Sequence, residues 1–307
     1  MTHVQPATAI PVIVGATASG KSRLACRLAD AIGARIISVD SRKIYRRLDI
    51  GSAKPSPEVI ARYNYGMIDV VDPDEQYSAY QYARAAVALI EQTIASDRIP
   101  LLVGGTGFYL RALKDGLFDG PDADPEIREE IERSALATGW KAVYEKLQEV
   151  DPETASHIDP HNKVRLTRAL EVYYLTGTPI SALQRSGGYQ RPPWKFLLFG
   201  IDLPRAQLYD NIGIRTELMV KRGLFDEVRS LLDSGIGSDA PGLRTVGYAE
   251  VLDYLVGKTD QRSTIEKIKI NTRHYAKRQL TWFRRQEKVS WLTPGENMVD
   301  LIQAALV

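Results

Sequence analysis

The chain reads as an α/β protein: a P-loop NTPase-like parallel sheet with flanking helices, plus an all-helical insertion domain. Three features predict this. Short apolar runs alternate with helix-patterned stretches through residues 10–107, glycine-rich turns close the first and last of those runs, and residues 121–186 carry helix signals without a clear strand.

Taken in order, Ile10 to Val14 is the first strand. Gly15-Ala-Thr-Ala-Ser-Gly-Lys-Ser22 then turns the chain into a helix with Leu24, Leu28 and Ile32 along one face. Ile36 to Val39 gives a second strand, stopping at Asp40, and Ile68 to Val71 a third, ended by Asp72-Pro73. Ser78 and Gln81 form a capping box for a helix to about Ser96. Ile99 to Val103 is the fourth strand, closed by Gly104-Gly-Thr-Gly107. Asp124-Pro125 opens the first insertion helix, Asp151-Pro152 and Asp159-Pro160 break the next pieces, Gly177 closes another, and the loop 187–193 ends the insertion. Lys195 to Ile201 returns to the sheet, and the remainder is mostly helical, with stops near Gly223, Gly235 and Gly257. The expected domains are 1–117 with 195–307 as the P-loop catalytic core, and 118–194 as the helical insertion. In such a sheet, ligands sit at the carboxyl ends of the strands.

A chain of 307 residues is long enough to bury a core, and its 44% hydrophobic and 25% charged residues exclude a disordered tail. The single cysteine, Cys26, excludes an intramolecular disulfide and a multi-cysteine zinc site, and reads as a small buried residue. His157 and His161 are four apart, but Pro160 between them breaks the helix that would make them a metal pair. No apolar run reaches the roughly 18 residues of a membrane span, and the first residues lack a signal-peptide pattern, so a cytoplasmic protein is expected. The net charge of +2 conceals sorting: residues 258–288 hold ten Lys or Arg against three acids, +7, leaving −5 on the rest. A basic helix is either a solvated face or a polyanion surface.

Gly15-x-x-x-x-Gly20-Lys21-Ser22 fits the P-loop pattern between a strand and a helix. The backbone N–H groups of Gly15, Ala16, Thr17, Ala18, Ser19 and Gly20 cradle phosphate oxygens, Lys21 neutralises a terminal phosphate, and Ser22 ligates Mg²⁺. The ordinary reading is an ATP-binding kinase or NTPase, with Asp40 as the strand-end acid. Asp40 is instead followed by Ser41-Arg-Lys-Ile-Tyr45 and Gly51-Ser-Ala-Lys-Pro55, an unusual elaboration for a plain metal ligand.

These residues resemble the tRNA dimethylallyltransferase (IPP transferase) family. The loop variant Gly-x-Thr-x-Ser-Gly-Lys-Ser at 15–22 carries the resemblance, as do Val39-Asp-Ser with Tyr45, Asp49-Ile-Gly-Ser-Ala-Lys-Pro55, Ile68-Asp69 with Asp72-Pro73, and Tyr77-Ser-Ala79. So do Pro100-Leu-Leu-Val-Gly-Gly-Thr-Gly107, Arg165-Leu-Thr-Arg-Ala-Leu-Glu171, Val246-Gly-Tyr248 and Tyr275-Ala-Lys-Arg-Gln-Leu-Thr-Trp-Phe-Arg284. Together they run from about residue 10 to 292.

The resemblance implies alkylation: dimethylallyl diphosphate gives its five-carbon group to N6 of the adenine beside the anticodon, position 37, of tRNAs reading codons that begin with U. It makes Asp40 the base, with Thr17, Lys21, Arg215 and Thr106 as further catalytic residues and Mg²⁺ as cofactor. The tRNA anticodon stem-loop would meet Asp40, Ser41, Arg42, Lys43, Thr106, Arg128, Val164, Arg165, Leu166, Thr167, Arg168, Arg244, Thr245, Val246, Gly247, Tyr248 and Ala249. The insertion would contact tRNA, segment 258–288 would lie on the tRNA side, and the chain would act as a monomer. Tyr45, Tyr109 and Tyr248 are stacking candidates, with core packing the favoured role for any one of them. Arg165 and Arg168, three apart on a helix, suit phosphates or a solvated face.

The chain departs from the family pattern at Lys43, at Tyr65-Gly66, at His161-Asn162 and at Ala249, which bears on RNA preference. Three alternatives stand beside this reading: an isopentenyltransferase acting on free AMP, ADP or ATP, a P-loop kinase, and a non-catalytic tRNA-binding paralogue.

Overall fold

The computed structural model describes residues 9–116, 120–186, 191–295 and 297–306. Residues 187–190 of the loop expected to end the insertion lie outside these. The chain divides into two compact units, residues 1–114 with 192–307, and residues 115–191.

The first unit begins with β1 (Ala9–Val14), α1 (Lys21–Ile32), β2 (Arg35–Val39), α2 (Pro57–Tyr63), α3 (Ala79–Ala95), β3 (Pro100–Gly104) and α4 (Gly107–Asp115). The second holds α5 (Pro125–Thr138), α6 (Trp140–Val150), α7 (Pro152–His157), α8 (Lys163–Thr176) and α9 (Ile180–Ser186). The first then resumes with β4 (Lys195–Ile201), α10 (Arg205–Lys221), α11 (Leu224–Asp233), a 3₁₀ turn (Pro241–Arg244), α12 (Tyr248–Leu255), α13 (Gln261–Gln286), β5 (Val289–Leu292) and α14 (Met298–Leu306).

The five strands form one sheet in the order β2-β3-β1-β4-β5, every pair parallel. Val14 stands beside Gly104 and Gly200, and Val39 beside Gly104. The turns after β1, β2 and β3 therefore open at one edge. The chain passes from β1 to β2 and back to β3 between them, and such a crossover leaves a crevice for ligand. Gly104 makes the close approach possible, since a Cβ there would lie 1.9 Å from the Val39 carbonyl oxygen.

On one sheet face α1 buries Leu24 and Leu28 against Ile13, Ile36 and Leu101, with Ile302 of α14 in the same cluster. Each such side chain contributes about 1.5–3 kcal/mol on burial. On α3, Tyr82 is fully buried, donates to the Ser38 carbonyl at 2.9 Å and stacks on Tyr109 with ring centroids 4.3 Å apart. The α3 capping box of Ser78 and Gln81 is present.

The second unit has its own core, including Ile131, Leu147, Leu166 and Leu170. Within it the fully buried Glu171 carboxylate takes Arg128 Nε at 2.7 Å, Arg168 Nη1 at 2.7 Å and the backbone N–H of Asp124 at 2.8 Å.

Two strand expectations change. Ile68 to Val71 is not a strand of the sheet: Met67 and Asp69 take left-handed φ values of 59° and 55°, which break an extended run, and only an isolated bridge joins Tyr45 to Val71. Val289–Leu292, hidden in sequence behind the basic helix, is the fifth strand. Cys26 is half-buried rather than buried, and burial pushes its thiol pKa up. Among the described residues, no helix is long and apolar enough to cross a membrane.

Candidate active site

The loop after β1 wraps the amino end of α1. Gly20 caps that helix at φ 90°, a left-handed conformation that suits glycine. The Lys21 ammonium folds back onto the Ala16 carbonyl, while Ser22 is exposed at the first turn. Helix N-terminal N–H groups and the helix dipole make this end an anion site.

Asp40 leaves β2 beside the loop, and its Oδ1 accepts from the Arg42 backbone N–H at 3.0 Å. Thr106, after β3, donates its N–H to the Val39 carbonyl at 3.1 Å, and its Oγ1 accepts from the Ser41 N–H at 3.0 Å. Arg42 is buried, reaches the Val246 carbonyl at 3.3 Å and lies 5.4 Å from the Tyr275 ring centre. From α10, Arg215 Nη1 donates to Thr17 Oγ1 at 2.9 Å.

Thr17, Lys21, Asp40, Arg42, Lys43 and Arg215 all line one cavity of about 630 Å³. Among the described lining residues there are six cationic side chains, with Arg23 and Arg27 completing the set, and one carboxylate, Asp40. Burial pushes the Lys21 pKa down to about 7, against the opposing pull of Asp40. Burial and the neighbouring Arg42 push Arg215 down to about 10, and Lys43 is lowered first by burial. Burial alone would raise the Asp40 carboxyl, but Arg42, Lys43, the Arg42 N–H and Lys21 outweigh it and hold the group below its usual range. Ser19 Oγ, Arg42 Nε and Arg215 Nε are buried without a protein partner, the condition of groups kept for a ligand. Among the described residues no group of three His, Cys, Asp or Glu could hold a metal.

The other anticipated RNA contacts fall in separate places. Arg244 is exposed, Thr245, Val246 and Ala249 are half-exposed, and Gly247 is buried and donates its N–H to Glu250 Oε2 at 2.6 Å. Tyr248 is fully buried, with its hydroxyl on Glu227 Oε1 at 2.7 Å, and Tyr45 and Tyr109 are also core residues. In the second unit Val164 and Arg165 are exposed and Leu166 and Thr167 buried, while Arg128 and Arg168 are held by Glu171. Within the basic segment, Lys258 before α13 and Lys267, Lys269 and Arg284 on it pair with carboxylates. His274, Lys277, Arg278 and Arg285 line a groove of about 510 Å³ with Thr281 and Trp282.

Sequence reasoning assigned no role to three site residues, of which Gln279 alone lies in a motif that carries the resemblance, Tyr275 to Arg284. Gln279 of α13 bonds both glycine turns, accepting from the Thr17 N–H at 2.8 Å and donating to the Gly105 carbonyl at 2.9 Å. Asn211 donates to the Ala18 carbonyl at 3.2 Å. Glu227 accepts from the N–H groups of Asp49, Ile50 and Gly51 at 3.0, 2.7 and 3.1 Å, tying that segment to Tyr248.

Residues 43–286 match the IPP transferase family. The chain belongs to that family. Residues 8–69 also match the isopentenyl transferase family. A tRNA dimethylallyltransferase of Geobacter sulfurreducens is 42% identical, with 97% of this chain and 96% of that protein covered. A tRNA dimethylallyltransferase 1 of Pelobacter propionicus is 42% identical over 96% of this chain and 95% of that protein. The solved tRNA isopentenylpyrophosphate transferase of Bacillus halodurans is 35% identical at a TM-score of 0.71, with 97% of each chain covered. The chain thus shares family and fold with these IPP transferases along almost its whole length.

Proposed function

We propose that this chain transfers the dimethylallyl group of dimethylallyl diphosphate to N6 of the adenine at position 37, beside the anticodon, of tRNAs reading codons that begin with U, releasing diphosphate. The observation that carries this reading is one cavity shared by a phosphate-type loop, six cationic side chains with Lys21 and Arg215 at the loop, and one ionised carboxylate. That set suits alkyl transfer, which needs charge at the departing phosphates and a base at the amine.

The loop amides, Lys21 and Arg215 hold the diphosphate, and Thr17 orients Arg215. The adenine leaves the loop stack to enter the cavity. Its N6 lone pair forms the bond to the donor's C1 as the C1–O bond breaks and its electrons leave with the diphosphate. An N6 proton passes to an Asp40 carboxylate oxygen. Thr106 fixes the turn behind Asp40 through Ser41. Ser22 and the diphosphate oxygens would hold Mg²⁺, which supplies further charge to the leaving group.

RNA contacts are assigned to Ser41, Arg42 and Lys43, to the accessible residues Arg244, Thr245, Val246 and Ala249 of the turn that Arg42 meets, and to the face of the second unit that exposes Val164 and Arg165. Arg128 and Arg168 serve that face through Glu171. The α13 groove offers further charge to phosphates. The enzyme acts as a monomer in the cytoplasm.

Labelled dimethylallyl diphosphate offered with tRNA, with an anticodon stem-loop or with AMP tests the acceptor. Label entering RNA alone is expected. Label entering AMP, or ATP turnover without alkylation, overturns the reading.

A further inference from the structure

Gln279 and Thr17 are 262 residues apart, and the Gln279 side chain is buried between the turn after β1 and the turn after β3. A backbone N–H requires an acceptor and a carbonyl requires a donor, so the two partners fix the amide orientation. Oε1 faces Thr17 and Nε2 faces Gly105. A Cβ at position 105 would lie 2.2 Å from Nε2, so the clasp needs glycine there.

The Thr17 N–H belongs to the same planar peptide as the Ala16 carbonyl, and in a trans peptide the two point to opposite sides. Gln279 holds the N–H toward α13. The Ala16 carbonyl therefore faces the other way, where it accepts the Lys21 ammonium. Thr17 Oγ1, on the next atoms of the same backbone, accepts from Arg215 at 2.9 Å. One side-chain amide thus sets the attachment points of both cations that flank the loop.

We propose that Gln279 is a positioning residue for the diphosphate site: by clamping the Ala16–Thr17 peptide, it fixes where Lys21 and Arg215 stand before the donor arrives. This rests on the reading of loop 15–22 as a diphosphate cradle. Gln279 touches no reacting atom. Freed of the clamp, the peptide turns, and both cations lose their registered positions. Asparagine is one methylene short. An ionised glutamate keeps the bond from Thr17 but sets a carboxylate oxygen against the Gly105 carbonyl.

Calorimetry with inorganic diphosphate and Mg²⁺ tests this without an acceptor, and steady-state transfer to tRNA accompanies it. Gln279→Ala is expected to weaken diphosphate binding about tenfold and to lower kcat/KM for the donor about ten- to hundredfold, with KM for tRNA changed less than about twofold. For Gln279→Glu, the ratio of variant to wild-type diphosphate affinity rises as the pH falls from about 8 to about 6, because burial raises the new carboxyl's pKa and its protonated form regains a donor for Gly105. Simple space-filling would not produce that rescue. Unchanged diphosphate affinity in both variants, or a Gln279→Glu ratio that is flat with pH, overturns the proposal. If Gln279→Ala does not fold, the pH ratio decides alone. Wild-type protein that binds diphosphate but alkylates no RNA sinks the functional reading, while the calorimetry still decides the role of Gln279.

Discussion

Arg215 Nη1 donates to Thr17 Oγ1 at 2.9 Å, joining a residue of α10 to the loop after β1 across 198 positions of sequence. Removing the acceptor while keeping the shape, as in Thr17→Val, leaves the guanidinium without its anchor. A hydrogen bond to a charged group is worth about 1.5–3 kcal/mol, so kcat/KM for the donor should fall about ten- to hundredfold. Arg215→Lys should fall similarly, and the double variant should lose less than the product of the two. Steady-state kinetics over that double-mutant cycle checks the coupling.

Asp40 is the only carboxylate among the described residues lining the cavity. Asp40→Asn keeps an oxygen for the Arg42 N–H but removes the carboxylate proposed as the base. The expected loss in kcat is about 10²–10⁴-fold. RNA affinity, read by filter binding, should stay close to wild type.

The pH dependence follows from the two shifts with their signs. Lys21, pushed down to about 7 by burial, is charged below that value and neutral above it. Donor kcat/KM, which reports the free enzyme, should fall as pH rises through about 7. Asp40 is held below the usual carboxylate range, so the acid limb lies lower still. Lys21→Arg keeps its charge and should displace the alkaline limb upward. A wild-type profile flat to about pH 9 would contradict the assignment.

In the second unit, two candidate phosphate ligands double as structural cations. Burial opposes ionisation of Glu171, but hydrogen bonds from Arg128 and Arg168 outweigh it and hold its carboxyl below the usual range. Its contribution to stability is present above the unfolded glutamate pKa and is lost as pH falls through the depressed folded value. Arg128→Ala or Arg168→Ala should each cost about 1–3 kcal/mol, and their combination about 3–5 kcal/mol, read from denaturant melts. Arg165→Ala should leave the melt unchanged and reduce the slope of log affinity against log salt by about one.

The parts of this architecture visible in sequence are those set by local chemistry. The P-loop, the β2 end at Asp40 and the α3 capping box each need only neighbouring residues. Where the outcome depended on distant partners, the sequence was ambiguous or silent. Ile68 to Val71 has strand composition, but the Lys54 ammonium bridges Asp49 and Asp69 and helps hold a left-handed turn. Val289–Leu292 is a strand because it pairs with β4, not because of its pattern, which sets one serine among three apolar residues after the mixed-charge stretch 284–288. Gln279 and Glu227 act across folds of the chain, so the Tyr275–Arg284 motif marks Gln279 without revealing its partners, and nothing near Glu227 marks it. Arg168 could be placed on a helix face by spacing, yet spacing could not reveal that Glu171, one turn on, would claim it.

The central claim is alkyl transfer to RNA, and nucleoside mass spectrometry tests it most directly. A tRNA reading codons that begin with U is incubated with the protein, dimethylallyl diphosphate and Mg²⁺, then digested. The account predicts an adenosine beside the anticodon in which one hydrogen is replaced by a dimethylallyl group, with diphosphate released in equal amount and none formed by Asp40→Asn. Unmodified tRNA alongside alkylated AMP, or alongside phosphate released from ATP, would contradict it.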